Sequence, residues 1–492
     1  MGGAVRSARR RRPLAVAVSG LLVTTLATVA LVHARPAATP VVVALPDQHP
    51  HGVVVDSQTG HVFVTSYSDT RVSGHVAMLD ATSGALLHTV ALPLLPDATS
   101  GALLHTVALP LLPTALALDP RAARVYVVGA TDTAGDGAVS ILDTHSGILL
   151  RTTILPPLTR GIAVDAHAGR VYVGSAGAGY TGSRGVVSVL DARTGRQVHT
   201  VAVGGDPWVL AVDDRTRHLV IARYLWVTAR GGGYVTTHLT TLDARSGRII
   251  RDLALGRVGI SALAVDDQAG RAIALTNNFF GSNSGAVQIL DTTTGALVRS
   301  IPLTGLPVAL VADIRVGRVV VTYNGPARVV TMTQTGSGGV VQGRSVSLAS
   351  TSTGRVSVLE TRSGRILRTA QVDGVPGAVA LGVTPGHVLV ASASPSGTTG
   401  RPPGVGTITL LDESTGRIQN IARVAATLNE RTLAVNNRTG RVFTLHEGVT
   451  SATQDPWGWI PSWLRTRLPF LPAHPVRTRP VSANVTVLTM PR

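Results

Sequence analysis

The sequence predicts an all-β fold of repeated four-stranded units, and three observations carry that prediction. Two short turn patterns alternate along the chain at a spacing of about 50 residues, the mark of a repeat architecture. Each pattern is followed by a short β-branched run such as Arg170-Val171-Tyr172-Val173. No long amphipathic helical pattern occurs after residue 40.

The first pattern is Val-Asp-x-x-x-Gly-Arg-Val-x-Val. It begins at Val55-Asp56, returns with Asp119, Asp165, Asp213 and Asp266, and is degenerate at Asp313, Thr384 and Asn436. The second is Leu-Asp-x-x-Ser/Thr-Gly, with Asp80, Asp143, Asp191, Asp243, Asp291 and Asp412, and Glu360 in the remaining copy. Asp opens such a turn because its carboxylate accepts backbone N–H groups two residues on. Gly supplies the positive φ near the turn's end, and alternating Val and Tyr restart a half-buried strand. Two hairpins per repeat give a four-stranded antiparallel unit, and its repetition signals a β-propeller.

Eight copies of the first turn predict eight blades, or seven if the degenerate unit 308–372 is not one. The last blade has two strands near 431–445 and a third at Asn484–Met490. Its fourth strand is available at the N-terminus, Val41–Leu45, which would close the ring and cover an open sheet edge. Asp80–Pro96 and Asp97–Pro113 are identical. A blade has room for one copy, so the second is expected to bulge outward or add an edge strand.

Gly169-Arg170-Val171-Tyr172-Val173, then Val189-Leu190-Asp191-Ala192-Arg193-Thr194-Gly195, and the strand end Thr276-Asn277-Asn278 resemble the YVTN-repeat β-propeller family over roughly residues 40–490. The resemblance implies an extracytoplasmic or cell-surface propeller and says little about activity.

Ahead of the propeller, Arg6 and Arg9–Arg12 precede an uncharged stretch, Leu14–Val32. At about 1.5 Å per residue, its 19 residues would span about 28 Å as a helix, close to a bilayer's hydrocarbon core. Val32-His33-Ala34 also fits a signal-peptidase site. Residues 1–34 therefore read as a transmembrane anchor or a cleaved signal peptide, 35–39 as a linker and 40–492 as the propeller. Export follows in either case, because the Arg cluster stays cytoplasmic. Two insertions stand out: 325–353, with two apolar runs expected to form a hairpin, and the Trp-rich 447–482.

Composition narrows the function classes. Hydrophobic residues make up 44% and charged residues 14%, too apolar for a disordered chain. The absence of Cys excludes disulfides, thiol nucleophiles, Cys-ligated zinc and iron–sulfur clusters. All 44 basic residues are Arg and the net charge is +17, which favours anionic partners without naming one.

Loops sort onto two faces. The repeated turns share the bottom; the longer, varied loops share the top, where binding usually sits. The top candidates for ligand binding are His49, His51, Arg160, Trp208, Arg223, Tyr224, Trp226, Asn277, Asn278 and Tyr323. Arg, aromatic and amide groups together suit a polar or anionic ligand or a sugar. Bottom-face Arg residues are expected to be solvated or paired with their own turn Asp, and would suit an anionic membrane surface.

Catalytic and metal signatures are not found. His49-Pro50-His51 is the one close His pair and spacing specifies no third ligand. Asp132 to Gly137 is a faint calcium-loop echo. No phosphate loop, nucleophile elbow or dinucleotide fingerprint occurs in a strand-to-helix context. No metal or cofactor is predicted. Quinoprotein dehydrogenases have repeats similar to Leu190–Arg196, but Gln197-Val198-His199-Thr200 stands where theirs continue into a blade-locking Trp. Nucleic acid is disfavoured for an exported chain without a dense basic cluster. The expectation is an exported binding or protein-interaction scaffold at the cell surface. The alternative is an extracytoplasmic propeller enzyme, lactonase-like or, less so, quinoprotein-type, with its site in the top central funnel.

Overall fold

The computed structural model describes residues 41–45, 49–67, 74–81, 86–92, 111–131, 136–177, 184–229, 232–278, 284–325, 328–335, 341–349, 353–393, 405–425, 428–446 and 484–489. The N-terminal segment 1–34, the linker, most of the second copy of the duplicated stretch and the Trp-rich 447–482 lie outside these residues. Every regular element described is a strand.

The chain is an eight-bladed β-propeller. Eight four-stranded antiparallel sheets succeed one another. Blade three is typical: Thr159–Asp165 innermost, then Arg170–Ser175, Val186–Asp191 and Gln197–Ala202 outermost. The unit 308–372 is a true blade, the sixth, so the seven-blade alternative falls. Its insertion contains an antiparallel hairpin of Arg328–Thr335 with Val341–Ala349. In the eighth sheet Val41–Ala44 lies beside Asn484–Thr489, with Val41 opposite Val487. In blade one the first duplicate supplies the outermost strand, Leu86–Leu92.

The turns form as their residues dictate. Oδ1 of Asp191 accepts the N–H and the hydroxyl of Thr194 at 2.9 and 2.8 Å. Gly195 closes the turn at φ +68°, and a side chain there would run into Ile141 of blade two.

Burial departs from the expected half-buried alternation. The second strand of each blade is buried on both faces: in Arg124–Ala130, Val125, Tyr126, Val127 and Val128 are all 0–1% exposed. The outermost strands are largely exposed, as in Leu297–Leu303. The reason is radial. The inner strands of each blade are packed between two neighbouring blades, whereas the outermost strand meets solvent.

Among the described residues, eight apolar clusters fill the seams between consecutive blades. One joins Phe443, Leu445, Val485 and Val487 of blade eight to Val62, Val64, Ala77 and Leu79 of blade one.

The bottom-face Arg residues correct an expectation. Arg124, Arg170 and Arg271 do not pair with the Asp of their own preceding turn. They cross to the Asp ending the adjacent third strand, Asp143, Asp191 and Asp291, at 2.7, 3.0 and 2.8 Å. Strand register places each pair directly opposite. Arg315 does pair with its own turn Asp313, at 2.8 Å. Arg193, Arg196, Arg245, Arg248, Arg362, Arg365 and Arg417 are exposed on the outer turns.

Candidate functional site: the mouth of the ring

The innermost strands carry a recurrent irregularity at their top ends. The ladder shifts between Pro50 and Gly52, Pro113 and Ala115, Thr159 and Gly161, and Pro207 and Val209. It shifts again between Ile260 and Ala262, Pro307 and Ala309, and Pro376 and Ala378. A β-bulge leaves one residue outside the ladder and re-aims its side chain. The skipped residues are His51, Thr114, Arg160, Trp208, Ser261, Val308 and Gly377. Blades one to five thus carry polar or aromatic residues at this position, Thr114 and Ser261 donating to the next blade's Thr159 O and Pro307 O at 3.1 and 3.3 Å, and blades six and seven do not.

The densest part is at blades three and four. Arg160 lies over the Trp208 ring, its guanidinium carbon 4.6 Å from the centroid. Trp208 is tilted against Tyr224 at 6.2 Å. Arg160 Nη1 stands 3.9 Å from Asp206 Oδ2, too far for a hydrogen bond. Burial pushes the Asp206 carboxyl up, and Arg160 pulls it partly back. Asp206 Oδ1 is buried with no partner. Tyr224 is tied to blade five, its hydroxyl oxygen accepting the Ile260 N–H at 3.1 Å. Trp208 remains 39% exposed.

Blade four also extends above its neighbours. Its second and third strands, His218–Ala229 and Gly232–Asp243, each have 12 residues. Trp226 sits on this ribbon, exposed, and covers Gly233 diagonally across on the facing strand. Arg257 lies over Tyr234 at 5.2 Å.

The other candidates divide. His49 stacks on Tyr67 at 5.1 Å, and His51 is tilted against the same ring at 6.4 Å. His51 and Thr114 help line a cleft of about 220 Å³ reaching Leu433 of blade eight. Asn277 donates to Ser261 Oγ at 3.3 Å, and Asn278 is exposed. Two candidates are not offered to the mouth. Tyr323 is buried at 5% exposure between blades five and six, its hydroxyl 3.0 Å from Ser357 Oγ. Arg223 is 6% exposed and saturated. It donates to Thr240 Oγ1 at 2.7 Å and Val203 O at 2.6 Å, and pairs with Asp252 at 2.8 Å. Burial opposes the Asp252 charge, but hydrogen bonds from Thr240, Arg223 and His238 win and hold its carboxyl low. Arg223 therefore ties the strands of blade four to one another and to the link from blade three, a role that burial conferred and spacing could not reveal.

The eight-bladed architecture is shared with solved structures of diverse kinds. The Dos1 propeller matches with a TM-score of 0.56 at 10% identity, covering 91% of this chain and 94% of that one. The C-terminal WD40 domain of Sif2 matches at 0.54 and 11% identity, covering 92% and 99%. A europium-containing methanol dehydrogenase matches at 0.51 and 12% identity, covering 88% and 89%. No family model matches the sequence, and no curated protein matches it. At these identities the likeness shows the fold alone, an eight-bladed β-propeller.

Sequence reasoning missed Asp206, Tyr234 and Thr114. The Asp-Pro-Trp run at 206–208 was a usable signal for the first, since a carboxylate beside an aromatic at a strand start is out of keeping with the other blades. Chemically, the cluster offers an aromatic face, a guanidinium and one carboxylate whose Oδ2 faces Arg160 while its Oδ1 is buried. That set stacks a ring and hydrogen-bonds its substituents.

Proposed function

We propose that the chain is an extracytoplasmic binding scaffold. Its top mouth takes polar, ring-bearing anionic ligands such as acidic saccharide units of a cell-surface polymer. The observation that carries this reading is the stack of Arg160 on half-exposed Trp208 beside Asp206. Cation and aromatic are already assembled, and the carboxylate can accept ligand hydroxyls. Export, with residues 1–34 as anchor or signal, belongs to the same reading and is supported by the charge and hydropathy of that segment. The repeated turns support kinship with the YVTN-repeat propellers. The exposed Arg of the bottom rim would suit an anionic lipid surface.

The test is a titration of the full-length protein in detergent with a glucuronic-acid-containing oligosaccharide, followed by tryptophan fluorescence. Arg160→Ala and Trp208→Ala are each expected to weaken binding about tenfold, as loss of a partly exposed cation–π contact does. Equal binding by wild type and both variants would remove the mouth from the reading. Turnover of the probe would favour the enzymatic alternative.

Val41–Ala44, paired to Asn484–Thr489, is proposed to close the ring. Deleting residues 1–45 should then lower the melting temperature and promote aggregation through the bared edge strand. An unchanged melt by circular dichroism would refute closure by this strand.

A further inference from the structure

The bottom turns clasp one another around the ring. In blades six and eight the second residue after the turn's first Asp or Asn reaches into the next blade's turn. Arg315 of blade six donates to Val383 O and Gly382 O of blade seven at 3.3 and 3.2 Å. Arg438 of blade eight donates to Gln58 O of blade one at 3.4 Å. Blade two has Arg121 at this position and blade four has Arg215, whose guanidinium stands against Gly270 of blade five. In blade six this guanidinium also pairs with the turn's own Asp313 at 2.8 Å.

Blade three differs from these four. Its clasp residue is His167, and the next blade answers with a second acid, Asp214. His167 Nδ1 lies 3.0 Å from Asp214 Oδ2. Asp165, His167 and Asp214 each offer a ligand atom within 4.8 Å of the other two. Asp165 is fully buried. Its Oδ1 accepts the N–H groups of His167 and Ala168 at 3.0 and 2.7 Å. Its Oδ2 is buried without a partner, as are those of Asp56, Asp213 and Asp266, but among the described residues only here do a His and a second acid stand within reach of it. A buried carboxylate oxygen with no donor is costly unless a cation meets it. Here two carboxylates and an imidazole converge where blades two, four, six and eight carry Arg.

We propose that Asp165, His167 and Asp214 bind a divalent transition-metal ion that staples blade three to blade four. One imidazole and two carboxylates select the zinc or manganese class over calcium, which prefers all-oxygen sites. Ligand bonds of about 2.0–2.2 Å require the three atoms to draw in slightly, and a fourth position is left to water. The ion does for this seam what the Arg315 guanidinium does for the seam of blades six and seven. The site is independent of the binding reading for the mouth, which lies on the opposite face.

The molecule supplies its own control variants. His167→Arg installs the clasp residue of blades two, four, six and eight. Asp165→Asn copies Asn436 of blade eight, whose Oδ1 accepts the N–H groups of Arg438 and Thr439 at 2.9 and 3.1 Å. Both should fold while losing the metal. The full-length protein, stripped with EDTA, is titrated with Co²⁺ as a spectroscopic probe and then with Zn²⁺ by calorimetry. One equivalent is expected, with a Co²⁺ visible band displaced by Zn²⁺ and a metal-dependent rise in melting temperature. Each variant is expected to bind at least about 100-fold more weakly, with a metal-free melt within a few degrees of wild type. No stoichiometric binding by wild type overturns the proposal. So does wild-type-like binding by His167→Arg and Asp165→Asn, which would assign the ion to other surface histidines.

Discussion

Replacing Phe443 with alanine is expected to destabilise the propeller by about 3–5 kcal/mol, the usual cost of emptying a buried aromatic site. Phe443 is 0% exposed in the seam between blades eight and one, packed with Val62, Val64, Leu79 and Leu445. That seam joins the two ends of the chain. A void there weakens the closure that lets the other seams persist, so the effect should be cooperative. Val298→Ala is the control. Val298 lies on the outermost strand of blade five and is 46% exposed, so its change should stay within about 0.5 kcal/mol. Chemical denaturation followed by circular dichroism measures both. Equal effects would mean that the last seam is not packed like the others.

The second large effect is a pH dependence centred on Glu413. At the residue after each third-strand acid, other blades carry Ala81, Thr144, Ala192, Ala244, Thr292 and Thr361. Blade seven carries Glu413, fully buried, with both carboxylate oxygens lacking a hydrogen-bond partner. Burial, then the nearby Asp313 charge, pushes its carboxyl up to about 7, and Arg318 at 4.0 Å only partly offsets this. The unfolded chain ionises this group near 4.5. Between those values the folded state keeps a proton that the unfolded state releases. Stability therefore falls as pH rises from about 4.5 to about 7, by on the order of 3 kcal/mol, and is flat above. Glu413→Thr, the residue of blades two, five and six, should abolish that slope. It should leave stability near wild type at pH 4.5 and raise it at pH 8. A parallel pH profile for the variant, measured by denaturant midpoint, would sink this account.

Much of the architecture was legible because its signals are local. A turn such as Asp191–Gly195 is closed by atoms at most four residues apart, Gly195 N–H donating to Asp191 O at 2.8 Å. Asp and Gly encode that geometry wherever the blade stands in the ring, so eight turns could be counted as eight blades. Strand burial was less legible. Val-Tyr alternation in Arg170–Ser175 suggested one wet face, yet a second blade covers it. Among the candidate site residues, Arg160, Trp208 and Tyr224 were found by type and loop position and do meet. Arg223 and Tyr323, chosen by the same rule, are consumed by contacts within and between blades. Type and position specify a residue's level along a strand and leave open whether a neighbouring blade covers its side chain.

By itself the sequence determined the repeat, the turn chemistry and the all-β class, because these depend on contacts within one hairpin. Only the tertiary structure decided which side chains became neighbours. Asp206 entered the mouth cluster through Arg160 of the preceding blade, and His167 met Asp214 across 47 residues. The physical reason is that curling the sheets into a ring sets residues one repeat apart side by side. Their spacing in the chain carries no chemical signal, so their meeting is settled by the packing of one blade on the next.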